Sequence, residues 1–579
     1  MIAPLLALAS FAPAAQDAPE AGARPNVLVV MTDDQGLGDF GGASNPVLRT
    51  PRLDAFAAEC PDVARFYVSP VCAPTRAALM TGRYGYRTGV VDTYRGRAMM
   101  HADEVTIAEA LGQAGYRTGI FGKWHLGDAY PLRAMDQGFD VALVHRGGGL
   151  AQPSEPVENE RRYTDPILER NGALVRTEGY CTDVYVDEAL AFCRASVEAD
   201  EPFFAYVAPN APHGPFHDVP EELYRAYLER DLESVRTGER AKLDVIARIY
   251  AMVENIDGNF GRLLDGLDAL GVADDTIVVF LTDNGPTPGR YVRGLRGAKT
   301  DVHEGGIRSP LWVRWPGRLS PETRVEVPLA HIDLMPTLLD AAGVAAPEGV
   351  AFDGRSALGL LDGTGDGWTD RSIFVQSHRG DAPARDHHCA VIGPRWKLVR
   401  ASGFGRRSAP GDARWRLYDL LEDPAETTDR LLSSARVADD LHAAYRSWFD
   451  DVSTSRATGF APPRIEPCTP REPVTTLTRQ DWRCDGKEGW GAGGRWLLRV
   501  DEPIEVDVTL VFVRERTLEA ARLDVAGSVV ELRADGTERR EHALGRFTLP
   551  AGDVDLGVVC LSESEESDPY QVVLERANR

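Results

Sequence analysis

Cysteine is scarce in this sequence, with eight residues in a chain of 579. Exported proteins that rely on disulfides for stability contain far more, so the chain is not a disulfide scaffold. No two cysteines form a C-x-x-C pair, which argues against a zinc ribbon and against a thioredoxin-type redox site. Apolar packing must hold the protein together, and the length predicts two or three domains.

Positive charge is also in short supply. The 64 Lys and Arg residues face 88 Asp and Glu residues, which gives a net charge of −24. Proteins that bind nucleic acid need a surplus of Lys and Arg, so nucleic acid is not an expected partner. The overall field repels anions, and an anionic substrate would therefore require a local positive pocket.

Long apolar runs are missing as well, and only the N-terminus comes close. Its apolar part, Ile2 to Ala12, is too short to span a bilayer and runs into Ala12-Pro13-Ala14, which resembles a signal-peptide cleavage site. We expect residues 1–15 to be a signal peptide and the mature protein to be soluble and exported, either periplasmic or secreted. The alternative is a disordered tail rich in alanine and proline.

Short apolar runs alternate with helical patterns over residues 24–370, which is typical of an α/β domain with a large mixed, mostly parallel sheet. The clearest predicted strands are Val27–Met31, Phe203–Val207 and Thr276–Leu281. The long polar segment Gln152–Glu178 is predicted to be a surface loop.

The pattern changes towards the C-terminus. Short strands and a closing helix over residues 371–455 predict a small antiparallel subdomain, and a proline-rich linker follows it. Alternating apolar residues then predict an all-β module over residues 462–579, which we expect to be a β-sandwich. Its three tryptophans could bind glycan, but packing in the core is the commoner role.

Two predicted strands end in nearly the same polar sequence. Asp33 and Asp34 follow the first strand, and Asp283 and Asn284 follow a later one. In open α/β sheets, ligands bind beyond the carboxyl ends of the strands. One such site could be a plain turn. Two matching sites with adjacent oxygen ligands instead favour Ca²⁺ or Mg²⁺ over zinc.

Cys72 lies between two prolines, two residues before Pro74, where a helix is predicted to begin. It could be a buried or disulfide-bonded cysteine, the usual fate of a lone cysteine in an exported protein. It could also be a thiolate nucleophile, activated by the helix N-terminus and Arg76.

A third interpretation of Cys72 depends on the whole string C-A-P-T-R-A-A-L-M-T-G-R. This string resembles the signature of type I sulfatases, members of the alkaline-phosphatase-like superfamily. In that family the cysteine is oxidised after translation to formylglycine (3-oxoalanine) by a formylglycine-generating enzyme. The hydrate of the aldehyde is then the nucleophile.

Further elements resemble the same family in order and type over roughly residues 25–429. They are G-K-W-H-L-G with Lys123 and His125, P-H-x-P with His213, and L-R-G-x-K with Lys299. Two departures, Thr75 for serine and Thr300 for glycine, remove no reactive group. The resemblance implies an alkaline-phosphatase-like α/β fold and a metal site formed by Asp33, Asp34, Cys72, Asp283 and Asn284.

The resemblance also implies the chemistry of a sulfate monoester hydrolase. Arg76, Lys123, Lys299 and a Ca²⁺ ion, with Mg²⁺ less favoured, would supply the positive charge that the chain as a whole lacks. Asp283 would accept the proton of the attacking hydroxyl.

The two histidines would act in sequence. His213, helped by Lys299, would protonate the departing oxygen. His125 would then take the proton of the second hydroxyl, so that sulfate is eliminated and the aldehyde returns.

The substrate is expected to be a sulfated carbohydrate, with aryl sulfates as model substrates. Its sugar subsite is predicted to include His145, Arg146, Gln152, Tyr180 and Asp183. The alternative within the superfamily is a phosphonate monoester or phosphodiester hydrolase. A different class of function is a carbohydrate-binding protein whose Cys72 is never oxidised and whose acidic surface binds calcium.

Overall fold

The computed structural model describes residues 24–237, 241–365, 368–484, 489–562 and 566–577. The predicted signal peptide, residues 1–15, lies outside these ranges. Within them, no helix combines the length and the apolar character that a membrane span requires.

The first two thirds of the chain alternate strands and helices. In chain order the strands are β1 (Asn26–Thr32), β2 (Asp62–Val63), β3 (Phe66–Tyr67), β4 (Arg117–Lys123), β5 (Val141–His145), β6 (Ile167–Arg170), β7 (Ala173–Arg176), β8 (Phe203–Ala208), β9 (Thr276–Thr282), β10 (Arg308–Ser309), β11 (Leu311–Arg314), β12 (Arg324–Val325) and β13 (Leu329–Ala330). The helices are α1 (Pro51–Ala58), α2 (Cys72–Thr81), α3 (Gly85–Thr88), α4 (Ile107–Gln113), α5 (Cys181–Glu198), α6 (Glu221–Leu228), α7 (Leu243–Ala269), α8 (Glu304–Ile307), α9 (Leu334–Ala341) and α10 (Leu358–Leu361).

The main sheet has eight strands in the order β11-β9-β1-β8-β4-β5-β6-β7. The five strands from β9 to β5 are parallel, while β11, β6 and β7 are antiparallel at the two edges. The sheet is therefore mixed but mostly parallel, as the sequence predicts. The prediction of a surface loop over residues 152–178 is wrong in part, because β6 and β7 extend the sheet there.

Helices cover both faces of this sheet, which explains the unbroken apolar run of β1. Val27, Val29 and Met31 face the cluster that contains α2, α4 and α9, and the alternate residues of β1 face α1, α5 and α7. A strand buried on both sides needs apolar residues at every position rather than at every second one. The core thus fixes where the carboxyl ends of the parallel strands lie.

Two smaller units built mainly of strands follow. A four-stranded antiparallel sheet consists of β14 (Ile373–Gln376), β15 (Cys389–Ile392), β16 (Trp396–Arg400) and β17 (Arg416–Asp419), with helix α11 (Ala435–Ser453) packed against it. Two further sheets share one core and form the predicted sandwich. Its strands are β18 (Val474–Thr478), β19 (Arg495–Val500), β20 (Ile504–Thr517), β21 (Ala520–Val525), β22 (Ser528–Arg533), β23 (Glu538–Leu549), β24 (Gly552–Leu561), β25 (Glu566–Ser567) and β26 (Gln571–Arg576).

The sandwich core explains the tryptophans of this module. Trp482 and Trp496 are fully buried, and their ring centroids lie 5.6 Å apart. Trp490 is half-buried and meets Tyr94 of the α/β part edge-on. Two of the three tryptophans therefore pack in the core. The predicted α/β class with a C-terminal antiparallel sheet and a β-sandwich is confirmed, and the exact domain boundaries stay a prediction.

Candidate active site

Two neighbouring strands bring the predicted acidic residues together. Strands β1 and β9 are paired in parallel, with Thr32 opposite Thr282, so both strands end at the same level of the sheet. The amide of Asp34 donates to Asp283 Oδ1 at 3.1 Å, and Asn284 Nδ2 donates to Asp34 Oδ1 at 2.8 Å. Asp33, Asp34, Asp283 and Asn284 are all buried. The sheet register thus creates one compact oxygen-rich site.

Helix α2 begins at Cys72, beside this site. Thr75 organises its first turn, because its Oγ1 accepts the amide proton of Ser69 at 3.0 Å and donates to the carbonyl of Asp283 at 2.7 Å. The helix ends at Gly82, which has a left-handed φ of 66° that glycine adopts without strain. The start of α2 therefore lies against the acidic cluster, and the positive dipole end of a helix N-terminus suits an anion.

Cys72 lies inside the site. It is 3% exposed, and its Sγ and one carboxylate oxygen each of Asp33 and Asp283 all lie within 4.8 Å of one another. Burial raises the pKa of the Cys72 thiol, and the charges of Lys123 and Lys299 only partly oppose this. The protein environment therefore does not favour a thiolate. All eight cysteines are free thiols, so Cys72 is not in a disulfide.

Each of the three carboxylates has its own cationic partner. Lys123 Nζ lies 2.5 Å from Asp33 Oδ2, and Lys299 Nζ lies 2.5 Å from Asp34 Oδ1. Arg76 Nη2 donates to Asp283 Oδ2 at 2.9 Å. These pairs bring three cationic side chains together in an otherwise acidic protein, each balanced by a carboxylate.

These charges shift the acidic pKa values in opposite directions. Burial raises the pKa of Asp283 to about 7, and the charge of Asp33 adds to this effect. Burial would also raise the pKa of Asp34, but the charges of Lys299 and His213 outweigh it and hold that pKa below its usual value. Two carboxyl groups at one site thus differ in proton affinity, as acid–base chemistry requires.

His213 lies beside the acidic cluster, with 19% of its side chain exposed. Its Nε2 is 3.8 Å from Asp34 Oδ2, and its Nδ1 is 2.7 Å from the carbonyl oxygen of Gly214. A carbonyl can only accept, so Nδ1 carries the proton. Burial lowers the pKa of His213 to about 4, although Asp34 opposes the shift.

His125 is held by a backbone carbonyl. Its Nε2 is 2.6 Å from the carbonyl oxygen of Thr93, so Nε2 carries the proton and donates it. Its Nδ1 is buried and has no hydrogen-bond partner among the described residues. Burial, reinforced by Lys123, lowers the pKa of His125 well below its usual value. The ring is therefore neutral, with the lone pair on Nδ1.

A run of glycines closes over both histidines. A Cβ added at Gly148 would lie 2.8 Å from His125 Cε1, and one added at Gly149 would lie 3.0 Å from His213 Nδ1. The first distance is too short for a real side-chain contact, so the backbone approaches His125 more closely than any other residue type allows. This run is therefore part of the site wall rather than a plain flexible loop.

The donor set fits a hard divalent cation. Asp33 Oδ1, Asp34 Oδ2 and Asn284 Oδ1 are buried and lack a hydrogen-bond donor in the described part of the chain. Buried acceptors are costly unless something satisfies them, and a cation would do so. Carboxylate and amide oxygens are typical ligands of Ca²⁺ and Mg²⁺.

The predicted sugar-binding residues have varied surroundings. Gln152 lies beside the site, since its Oε1 is 2.6 Å from the position of a Cβ on Gly148. His145 Nδ1 is 3.1 Å from the Tyr185 hydroxyl, and Arg146 pairs with Glu169 at 2.5 Å.

The other two residues of that set have structural partners. Tyr180 stacks on Tyr163 with ring centroids 5.4 Å apart. Asp183 accepts hydrogen bonds from Asn255 and Asn259 on α7 rather than contacting the catalytic residues. The structure thus brings Gln152 to the site and leaves Tyr180 and Asp183 in the framework, and the subsite as a whole stays a prediction.

Sequence reasoning missed three supporting residues. Arg290 pairs with Asp39 and donates to the carbonyl of Asp34 at 2.6 Å, which holds the turn after β1. Thr93 acts through its backbone carbonyl, which no sequence pattern could signal. Gln480 of the sandwich also donates to that carbonyl at 3.0 Å. A buried arginine near a motif could have been suspected, but a glutamine in a distant module could not.

Comparison with known proteins identifies relatives of this arrangement. A family model described as sulfatase matches residues 25–344, and one described as N-sulphoglucosamine sulphohydrolase, C-terminal, matches residues 298–446. The first range contains every predicted catalytic and metal-binding residue, and Gln480 lies outside both.

Individual relatives agree with this match. The chain is 34% identical over 402 residues to N-acetylgalactosamine-6-sulfatase of the dog, Canis lupus familiaris, covering 65% of this chain and 72% of that protein. It is 29% identical over 456 residues to human arylsulfatase A, covering 70% and 83%. The solved structure of Ps i-CgsB in complex with k-i-k-neocarrahexaose aligns with a TM-score of 0.64 and 26% identity, covering 75% of this chain and 96% of that one.

Proposed function

Because the chain belongs to the sulfatase family of the alkaline-phosphatase-like superfamily and is a sulfuric ester hydrolase, we propose that it desulfates a carbohydrate through a formylglycine made from Cys72. One observation carries the proposal. Cys72 stands at the first residue of α2, and its Sγ lies within 4.8 Å of carboxylate oxygens of Asp33 and Asp283. A nucleophile there faces both a proton acceptor and a cation site.

The charge balance supports an anionic substrate together with a divalent cation. Three carboxylates and three cationic side chains cancel in pairs, so the site by itself offers little net positive charge. We propose that Asp33, Asp34, Asp283 and Asn284 hold a Ca²⁺ ion. Such an ion supplies Lewis-acid stabilisation of the sulfate charge when it is bound.

The first half of the proposed reaction transfers the sulfo group to the enzyme. One hydroxyl of the formylglycine hydrate attacks sulfur and gives its proton to Asp283, which has a carboxylate oxygen within 4.8 Å of Cys72 Sγ. The bond between sulfur and the ester oxygen breaks. His213 protonates that oxygen, because a bound anion favours the imidazolium form of His213. Lys299 helps from nearby, since its ammonium group and His213 both lie beside the carboxylate of Asp34.

The second half releases sulfate. His125 removes the proton of the remaining hydroxyl with the lone pair on Nδ1. The electron pair of that oxygen–hydrogen bond forms the aldehyde carbonyl, and the bond between carbon and the sulfated oxygen breaks. Sulfate leaves, and water adds to the aldehyde to restore the hydrate.

The substrate class rests on the relatives. One is named N-acetylgalactosamine-6-sulfatase, and the Ps i-CgsB structure holds k-i-k-neocarrahexaose. These names support a sulfated saccharide for this chain. Gln152 is a predicted subsite residue that lies by the site, because it lies against the same glycine as His125.

Two steps would precede activity. We propose that the apolar stretch Ile2–Ala12 directs export and that a formylglycine-generating enzyme oxidises Cys72. Sequencing the N-terminus of the protein isolated from its native host would test the first step, because a retained Met1 would contradict it.

The experiment that tests the function combines mass spectrometry with turnover. The protein is co-produced with a formylglycine-generating enzyme, and the tryptic peptide of residues 66–76 is weighed. We expect the mass of the aldehyde or its hydrate in wild type and an unmodified side chain in Cys72→Ser. Turnover of an aryl sulfate is compared with that of a matched phosphodiester, followed by sulfate release from a panel of sulfated oligosaccharides.

The outcomes separate the candidates. A preference for the aryl sulfate that disappears in Cys72→Ser supports the proposal. A large preference for the phosphodiester would instead assign the chain to the phosphodiester hydrolases of the superfamily. An active enzyme in which Cys72 is still a thiol would exclude the formylglycine mechanism.

A further inference from the structure

One backbone carbonyl links the active site to the C-terminal sandwich. The carbonyl oxygen of Thr93 accepts two hydrogen bonds, from His125 Nε2 at 2.6 Å and from Gln480 Nε2 at 3.0 Å. A carbonyl oxygen has two lone pairs, and both are used here. Gln480 is 1% exposed although it belongs to a different module from His125. The contact is therefore a built part of the interior rather than a surface encounter.

The residues around Gln480 also hold a second point of the loop that carries Thr93. We call residues 478–484 the anchor segment. Its Gln480 carbonyl accepts the amide proton of Gly96 at 2.7 Å. Gly96 has a φ of 67°, and a Cβ there would lie 2.8 Å from the carbonyl oxygen of Asp481, so only glycine fits against the segment. The loop that carries Thr93 is thus held at two points.

The anchor segment also holds the loop that carries His125. Asp481 Oδ2 accepts the amide proton of Asp128 at 2.7 Å, and Thr478 Oγ1 donates to Asp128 Oδ2 at 2.7 Å. Asp128 follows His125 by three residues and is buried. One short segment of the sandwich therefore fixes both the histidine and the carbonyl that orients it.

The orientation of this ring decides which nitrogen can act. Because Thr93 accepts from Nε2, the neutral ring keeps its lone pair on Nδ1. A loosened Thr93 would let the ring rotate or change tautomer, and the lone pair would leave its place. Small displacements of a catalytic base are costly because proton transfer needs hydrogen-bond distance.

We propose that Gln480 is a positioning residue for His125 and that the C-terminal sandwich thereby completes the active site. The inference rests on the proposed function, which gives His125 the proton transfer that releases sulfate. Gln480 does not touch substrate. It acts by holding the Thr93 carbonyl, and it belongs to a module outside the two matched family models.

The test replaces the donor and keeps the volume of the side chain. Gln480→Met removes the amide, and Gln480→Glu keeps its shape and polarity but offers the Thr93 carbonyl an oxygen instead of an N–H group. The matched control is Gln571→Met, because Gln571 is also a buried sandwich glutamine that donates to a backbone carbonyl of the α/β part, that of Glu155 at 3.3 Å. Thermal melts of all three variants accompany the kinetics.

We expect both Gln480 variants to lose roughly 10-fold in kcat with little change in KM, as supporting residues of active sites commonly do. Slower release should also make the sulfated form of peptide 66–76 accumulate during turnover, as seen by acid quenching and mass spectrometry. Gln571→Met should match wild type in both measurements. A merely structural loss of activity would not trap a sulfated enzyme.

Three results would contradict either the positioning role of Gln480 or the proposed function. Gln480 variants that match Gln571→Met in kcat and in sulfated peptide would overturn the positioning role. A lower kcat without accumulated sulfated peptide would also overturn it, because the loss would then arise at another step. Failure of wild type to form formylglycine or to hydrolyse a sulfate ester would contradict the proposed function instead.

Discussion

Three residues of the active site have a left-handed backbone, which residues other than glycine rarely adopt. They are Asp34 with φ of 64°, His125 with φ of 63° and Thr300 with φ of 74°. Asp and His tolerate this region, but Thr is β-branched and is strained there. Two hydrogen bonds hold Thr300. Its amide donates to the carbonyl oxygen of Pro70 at 2.8 Å, and its carbonyl oxygen accepts from His388 Nε2 at 2.7 Å. The strain is thus stored beside Lys299.

Relieving this strain should stabilise the protein. We expect Thr300→Gly to raise the free energy of unfolding by about 1 kcal/mol, since the strain relieved exceeds the added chain entropy. Lys299 should keep its ion pair with Asp34, so turnover should persist. Urea denaturation measures the change. Ala298→Gly is the control, because Ala298 has no positive φ and should lose stability. Destabilisation by Thr300→Gly as large as that by Ala298→Gly would show that Thr300 is not strained.

Residues with a distinctive side-chain motif were predictable from the sequence, and residues that act through the backbone were not. The carboxylates after two strands and the string around Cys72 can be recognised from residue type and spacing alone. The tautomer of His125 depends on the carbonyl of Thr93, which any residue could supply. The strain at Thr300 appears in the sequence only as a departure from glycine, whose structural cost the backbone angle reveals.

At the scale of elements, the pairing of β1 with β9 creates the proposed cation site. Continuous apolar runs predict both strands, but the sequence does not show that they are neighbours, because the central strands β4, β5 and β8 come between them in the chain. Strands β6 and β7 were missed because β7 is largely exposed at the sheet edge, Leu174 included, and the mostly buried β6 has only four residues. A half-exposed edge gives a weak pattern.

The cation site should respond to metal in the stability of the protein. Addition of Ca²⁺ to the chelator-treated wild type should raise the free energy of unfolding and with it the melting temperature. The gain is about 2.7 kcal/mol when the free Ca²⁺ concentration is a hundred times Kd. Mg²⁺ should give a smaller gain. Asp33→Asn should weaken the response, because it removes one of the negative charges that would attract the cation. Differential scanning fluorimetry measures the melting temperature.

A matched variant controls for loss of charge. Asp62→Asn changes an exposed carboxylate in β2 and should respond to Ca²⁺ as wild type does. A wild-type melting temperature that is indifferent to Ca²⁺ and Mg²⁺ would contradict a divalent cation site.

At the scale of the whole molecule, the seam between the α/β part and the sandwich buries several acidic groups. Tyr570 donates to the carbonyls of Gln152 and Glu155 at 3.2 and 2.9 Å, which fixes the loop beside the glycine run. Burial, with the charge of Asp128 added, raises the pKa of Glu155 to about 8, although Arg146 opposes the shift. Burial raises the pKa of Asp128 to about 6. The seam therefore favours protonated carboxyl groups.

This seam should make the stability of the protein depend on pH. Glu155 ionises near 4.5 when unfolded and near 8 when folded, so its contribution is full below pH 4.5 and is lost as the pH rises towards 8. Glu155→Gln removes the group that must ionise. Its melting temperature relative to wild type should therefore rise between pH 5 and pH 9, by an amount that thermal denaturation at both values measures.

The control for this prediction is a neighbour in the same loop. Glu158 is exposed, and Glu158→Gln should shift the melting temperature equally at both pH values. If Glu155→Gln shows no larger advantage at pH 9 than at pH 5, the carboxyl group of Glu155 is not held in its neutral form at the seam.

The anchor segment has a consequence for the timing of synthesis. Gln480 follows Cys72 by about 400 residues, so at about 5–20 residues per second the ribosome makes them roughly 20 to 80 s apart. During that interval the string around Cys72 exists while the segment that fixes His125 does not. The proposed oxidation of Cys72 thus has a period in which its target is complete, whereas a catalytically competent site must wait for the late part of the chain.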